Sequence, residues 1–85
     1  MPSHEHFARS KSAPNKLVYM ANQIGAFFKA QDMETASAKI AEHITKFWDP
    51  RMREAILAHL DAGGAGLDPA TRRAVESLRA PKSVA

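Results

Sequence analysis

The sequence predicts an all-α fold, a small bundle of three to four short helices behind a disordered N-terminal leader. Three observations predict it. Apolar residues recur at three- and four-residue steps from Leu17 to Phe47, the period of one helix face. Asp-Pro occurs twice, at Asp49-Pro50 and Asp68-Pro69, and each pair joins an N-cap acceptor to a residue whose fixed φ and missing amide hydrogen suit the first helical position. No stretch alternates apolar and polar residues for long enough to argue for a strand, and the two Asp-Pro starts lead into different patterns, which argues against an internal repeat.

Residues 1–14 hold two prolines, three serines and scattered charges without any apolar period, so they read as a flexible basic leader. The bundle domain follows over 15–80, and 81–85 form a C-terminal tail. Asn15 can cap a first helix, in which Leu17, Met20, Ile24, Phe27 and Phe28 make one apolar stripe over about 16–30. Gly25 lies inside that helix at a cost of up to about 1 kcal/mol relative to Ala; it predicts that a neighbouring helix approaches closely at that turn. Asp32 caps a second helix over about 33–47, with Ala36, Ile40, Ile44 and Phe47 on its inner face. A third starts at Asp49-Pro50, buries Met52, Ile56, Leu57 and Leu60, and ends at Gly63-Gly64, where glycine supplies the left-handed conformation of a helix terminus. Asp68-Pro69 starts a short fourth helix that carries Val75 and Leu78 and stops before Pro81.

Composition narrows the function. A chain of 85 residues makes one domain whose core gives little stability to spare, and small domains recover the deficit through disulfides, a structural metal or association. With no Cys, disulfides and thiolate-bound metals are excluded, and so is an iron-sulfur cluster held by this chain. No apolar run approaches the roughly 20 residues that span a bilayer, and the opening Met-Pro-Ser-His-Glu lacks the regions of a signal peptide. A soluble cytoplasmic protein is the expectation. The net charge of +3 sits mainly at the two ends, with Arg9, Lys11 and Lys16 in one and Arg72, Arg73, Arg79 and Lys82 in the other, while the middle is close to balanced.

The residues do not assemble a recognisable reaction centre. Gly63-Gly64-Ala65-Gly66 is the nearest thing to a phosphate cradle. No Lys-Ser/Thr follows it, no strand precedes it, and Asp68 places a carboxylate where phosphate belongs. His4 and His6 have the spacing of a minimal metal site but no third ligand, and His43 and His59 fall on different helices as boundary residues. There is no Cys nucleophile, and the Ser and Thr residues lie in the leader, on helix surfaces or near the C-terminus. The expectation is a chain that is not an enzyme, with no catalytic, cofactor-binding or metal-binding residue.

Phe47-Trp48 beside Arg51 and Arg53 is the candidate partner-binding surface. Phe47 also fits the core by its period with Ile40 and Ile44. Trp48 stands at the corner between two helices, where an indole is either core or a half-exposed anchor, and Trp with Arg is the composition enriched at protein-protein hot spots.

The block Lys46-Phe47-Trp48-Asp49-Pro50-Arg51-Met52-Arg53, the later Ala62-Gly63-Gly64-Ala65-Gly66-Leu67-Asp68-Pro69 and the earlier Lys16-Leu17-Val18-Tyr19-Met20-Ala21-Asn22-Gln23-Ile24 with Phe27-Phe28 together resemble the small delta subunit of soluble, NAD-dependent, molybdenum-containing formate dehydrogenases. The resemblance spans residues 16–69. It implies an accessory subunit that binds and stabilises, or helps assemble, a complex in which larger catalytic and diaphorase subunits oxidise formate to carbon dioxide and reduce NAD. It further implies that molybdopterin guanine dinucleotide, iron-sulfur clusters and FMN belong to those partners. The alternative from another class is a small basic helical nucleic-acid-binding protein, with the third helix as its recognition helix. Against it, Glu54 and Asp61 accompany Arg51 and Arg53 on that helix, a poor arrangement for following phosphates.

Overall fold

A computed structural model describes the backbone of residues 3–79 and the side chains of residues 15–79. Four helices follow one another: α1 Ser3–Phe27, α2 Met33–Phe47, α3 Pro50–Asp61 and α4 Pro69–Arg79. The described residues contain no strand, and the chain is a small all-α bundle. The backbone of α1 is helical from Ser3, ahead of the start expected near Asn15. The side chains of the expected leader, residues 1–14, and the expected tail, 81–85, lie outside the described residues.

The helix boundaries follow from local chemistry. α1 stops at Phe27, three residues short of expectation, because the chain tightens there: the N–H of Phe28 donates to the Gly25 carbonyl at 3.1 Å and that of Lys29 to the Ala26 carbonyl at 3.3 Å, the three-residue spacing of a closing turn. At the start of α2 the Asp32 carboxylate accepts from the Thr35 N–H at 2.7 Å, and at the start of α3 that of Asp49 accepts from the Met52 N–H at 2.9 Å, with Pro50 in the first turn. Both are the N-caps the sequence predicts. α3 ends as Gly63 and Gly64 take φ of +123° and +65°, which lets the Gly64 N–H donate to the His59 carbonyl at 2.9 Å.

The core is a cluster of medium-sized side chains: Leu17, Val18 and Ala21 from α1, Ile40 and Ile44 from α2, Trp48 between α2 and α3, Ile56 and Leu60 from α3, and Ala74 and Val75 from α4. The short fourth helix is its centre. It packs against each of the other three, most extensively against α2, although it is one of the shorter and more polar elements. Small residues make this possible, since Thr71 and Ala74 are fully buried and let the backbones come close. Gly25 is the counterpart on α1. A Cβ built there would stand 2.6 Å from the Thr71 hydroxyl oxygen, so the close helix approach that Gly25 predicts is made by α4.

Candidate functional site

The connection between α2 and α3 sets the geometry of the candidate site. After Phe47 the helix closes, the Trp48 N–H donates to the Ile44 carbonyl at 2.9 Å, and Trp48 adopts extended backbone with φ −94° and ψ 140°. Asp49 and Pro50 then restart the chain as α3. This corner separates the two aromatics in the opposite sense to the periodic reading. Trp48 is only 5% exposed and belongs to the core cluster, while Phe47 is 69% exposed. Trp48 is therefore no half-exposed anchor and Phe47 is no core residue. The physical reason is the four-residue register of the buried row. The inner face of α2 runs Ala36, Ile40, Ile44 in four-residue steps, and the next step falls on Trp48, which completes the row as the helix ends.

The arginines also divide. The Arg53 guanidinium folds back over the corner, donating from Nη1 to the Trp48 carbonyl and, at 3.4 Å, to the Thr45 carbonyl. It satisfies acceptors left free at the end of α2 and braces the turn. Arg51 is exposed. Of the four sequence-predicted residues, Phe47 and Arg51 face solvent, whereas Trp48 and Arg53 build the corner that holds them.

Exposed aromatic surface extends from Phe47 in a direction the sequence did not indicate. The His43 ring lies one turn back on α2, with its centroid 4.7 Å from that of Phe47 and tilted by 42°. Phe28, at the end of α1, lines the same groove together with Lys39, Glu42 and Lys46. Phe27 is 82% exposed and meets Phe28 edge-to-face with centroids 5.1 Å apart. Its place on the α1 stripe is thus a second correction: the inner positions of α1 are Leu17, Val18 and Ala21. No local signal separates the two rings, since the adjacent Leu17 and Val18 both reach the core; Phe27 stands outside at the last residue of α1, while Phe28 packs against the core's edge.

The glycine-rich loop is closed by its own neighbours. Asn22 on α1 donates to the Gly66 carbonyl at 2.8 Å and accepts from the Asp68 N–H at 3.0 Å. Arg72 reaches back from α4 to the carbonyls of Gly63, at 3.0 Å, and Gly64, at 3.4 Å. His59 Nε2 is 2.8 Å from the Ala65 carbonyl. The loop is a structural hub that ties α1, α3 and α4 together. His59 is committed to this loop and His43 to Phe47, and no group of three metal-ligating side chains comes together among the described residues. His4 and His6 lie outside the described side chains.

Ionisable chemistry is sparse. The Asp32 carboxyl is held below its ordinary value, first by the hydrogen bond from the Thr35 backbone N–H and then by one from the Thr35 side chain. It is a capping group, fully at the surface. Two ion pairs occur among the described residues, Lys46 with Glu42 at 3.3 Å and Arg79 with Asp61, and both are solvent-exposed. No described helix is long and apolar enough to cross a membrane.

Comparison with curated proteins and with solved structures gave no match. A family model described as the NADH-dependent formate dehydrogenase delta subunit, FdsD, matches residues 16–75, which takes in the whole corner, both Asp-Pro starts and the glycine-rich loop. The chain belongs to this family of formate dehydrogenase delta subunits.

Proposed function

We propose that the chain is a non-catalytic accessory subunit, which docks on the larger catalytic and diaphorase subunits of an NAD-dependent formate dehydrogenase in the cytoplasm and stabilises or helps assemble the complex. The supporting observation is the exposure of Phe27 and Phe47, while among the described residues the buried core cluster holds no phenylalanine and Phe28 packs only at its edge. Large aromatics left outside a small core are the residues that interfaces use. The chain is a poor host for the redox groups of such an enzyme. Without Cys it offers no thiolate to a cluster, and the N–H groups a phosphate would need are engaged within the glycine-rich loop, those of Gly63, Gly64 and Leu67 by backbone carbonyls and that of Asp68 by Asn22, which argues against a nucleotide cradle there. Molybdopterin guanine dinucleotide, iron-sulfur clusters and FMN accordingly belong to the partner subunits in this reading.

Nucleic-acid binding is less favoured. Arg53, Arg72 and Arg79 are engaged within the bundle, which removes three of the cations that would follow a phosphate backbone.

The test is retention. The tagged full-length chain, mixed with formate dehydrogenase lacking this subunit, should retain the larger subunits on an affinity column, and the isolated chain should reduce no NAD with formate. Failure to retain them, or formate-dependent NAD reduction by the chain alone, overturns the proposal.

A further inference from the structure

Two of the chain's four phenylalanines, Phe28 and Phe47, line one surface groove where the end of α1 passes α2, and a third, Phe27, meets Phe28 edge-to-face beside it. The groove between Phe28 and Phe47 has a volume of about 190 Å³ and is completed by His43, Lys39, Glu42 and Lys46. That is somewhat more than the roughly 150 Å³ cavity that accepts benzene, so it suits one aromatic or branched aliphatic side chain. Its rim is basic. Glu42 is the only acid on it and is occupied by Lys46 at 3.3 Å, while Lys39 has no ion-pair partner among the described residues.

We propose that this groove is the seat of the interface. It receives one large apolar side chain from a larger subunit, carried on a segment whose neighbouring carboxylate meets Lys39. The inference rests on the accessory-subunit reading and adds to it the place and the chemistry of attachment. Phe47 and Phe28 form the walls, and the His43 ring backs Phe47 at 4.7 Å, so the wall is partly pre-set before the partner arrives. The charge pattern selects a different chain over a second copy. A two-fold contact through this face would bring the two copies of Lys39 together, and the one acid on the rim, Glu42, is already paired with Lys46.

The experiment uses the full-length chain and formate dehydrogenase purified without this subunit, with affinity measured at several salt concentrations. Phe47→Ser should weaken binding about thirtyfold, the scale of a truncated interface anchor, with unchanged helicity. Lys39→Glu should slow association and reverse the salt dependence that the wild type shows. Arg51→Ser serves as the comparison on the other side of the corner. Unaltered binding of Phe47→Ser and Lys39→Glu overturns the groove while leaving the accessory role standing, and a loss confined to Arg51→Ser would move the interface to the first turn of α3. A wild-type homodimer abolished by Phe47→Ser overturns the choice of partner. If the wild-type chain fails to bind the enzyme, the accessory reading falls, and the groove with it.

Discussion

Trp48 and Phe47 are adjacent, yet truncating them should have opposite consequences. Trp48 is 5% exposed, within the cluster formed with Ile44, Ile56 and Leu60. Trp→Ala at a buried site removes a large apolar surface and leaves a void, for a loss of about 3–5 kcal/mol. A domain of this length has a total stability of about 4–13 kcal/mol at 0.05–0.15 kcal/mol per residue, so Trp48→Ala should consume a large fraction of it. In a domain this small each kcal/mol moves the thermal midpoint by about 4–8 °C, and the expected drop is at least 12 °C or so. The Arg53 hydrogen bond to the Trp48 carbonyl survives in this variant, because it uses the backbone. Phe47 at 69% exposure has little left to lose, and Phe47→Ala should stay within about 0.5 kcal/mol of the wild type. Thermal unfolding of the free chain, followed by circular dichroism, measures both. A wild-type midpoint for Trp48→Ala, or a large fall for Phe47→Ala, would refute the assignment of the two rings.

Two further outcomes follow from close contacts. Gly25→Ala gains up to about 1 kcal/mol of helix propensity, but its new methyl lies 2.6 Å from the buried Thr71 hydroxyl, an overpacking worth about 1–3 kcal/mol; a lowered midpoint is expected, and a raised one in a melting experiment shows that α4 yields freely. The Asp32 carboxyl, held below its ordinary value of 3.8 by Thr35, stabilises the fold above that value and loses the contribution as pH falls through the lower folded value. Asp32→Asn keeps the acceptor without the titration, so any gap between the wild type and this variant should shrink as pH falls through and below 3.8; a gap that widens on acidification contradicts the capping role.

Much of this architecture is written in short-range signals. Asp32, Asp49-Pro50 and Gly63-Gly64 set their boundaries through hydrogen bonds and φ preferences that act within three or four residues, and such signals need no knowledge of the rest of the fold. Gly25 conveyed a close approach but not which helix made it. Val75 and Leu78 marked α4 as a short amphipathic helix, but its central place was hidden because it also depends on the buried Thr71 and Ala74, residues too small to register as an apolar stripe. The site was legible as a neighbourhood only. Periodicity placed Phe47 inside because steps of three and four residues from Ile44 both fit one helix face, whereas the buried row keeps the four-residue step and passes to Trp48. The pairing of Phe47 with Phe28 joins two elements, and no local pattern carries that information.

The close packing that makes α4 central also explains why Phe27 and Phe47 stand outside and Phe28 reaches only the edge of the core. With Gly25 against Thr71 and with Ala21 and Ala74 fully buried, the helices approach too closely to admit phenyl rings between them, and the single large ring of the core, Trp48, enters at the corner, where α2 has already ended. The interior is thus filled by Ile, Val, Leu and Ala side chains, a modest apolar burial for 85 residues. Each phenylalanine buried in a complex would add about 1.5–3 kcal/mol of transfer free energy before the cost of association. That is an appreciable share of what so small a domain has in total. Binding to the folded state alone raises apparent stability by mass action. A chain built in this way should therefore melt higher within its complex than free, and Phe47→Ser should lower the first midpoint while leaving the second almost unchanged.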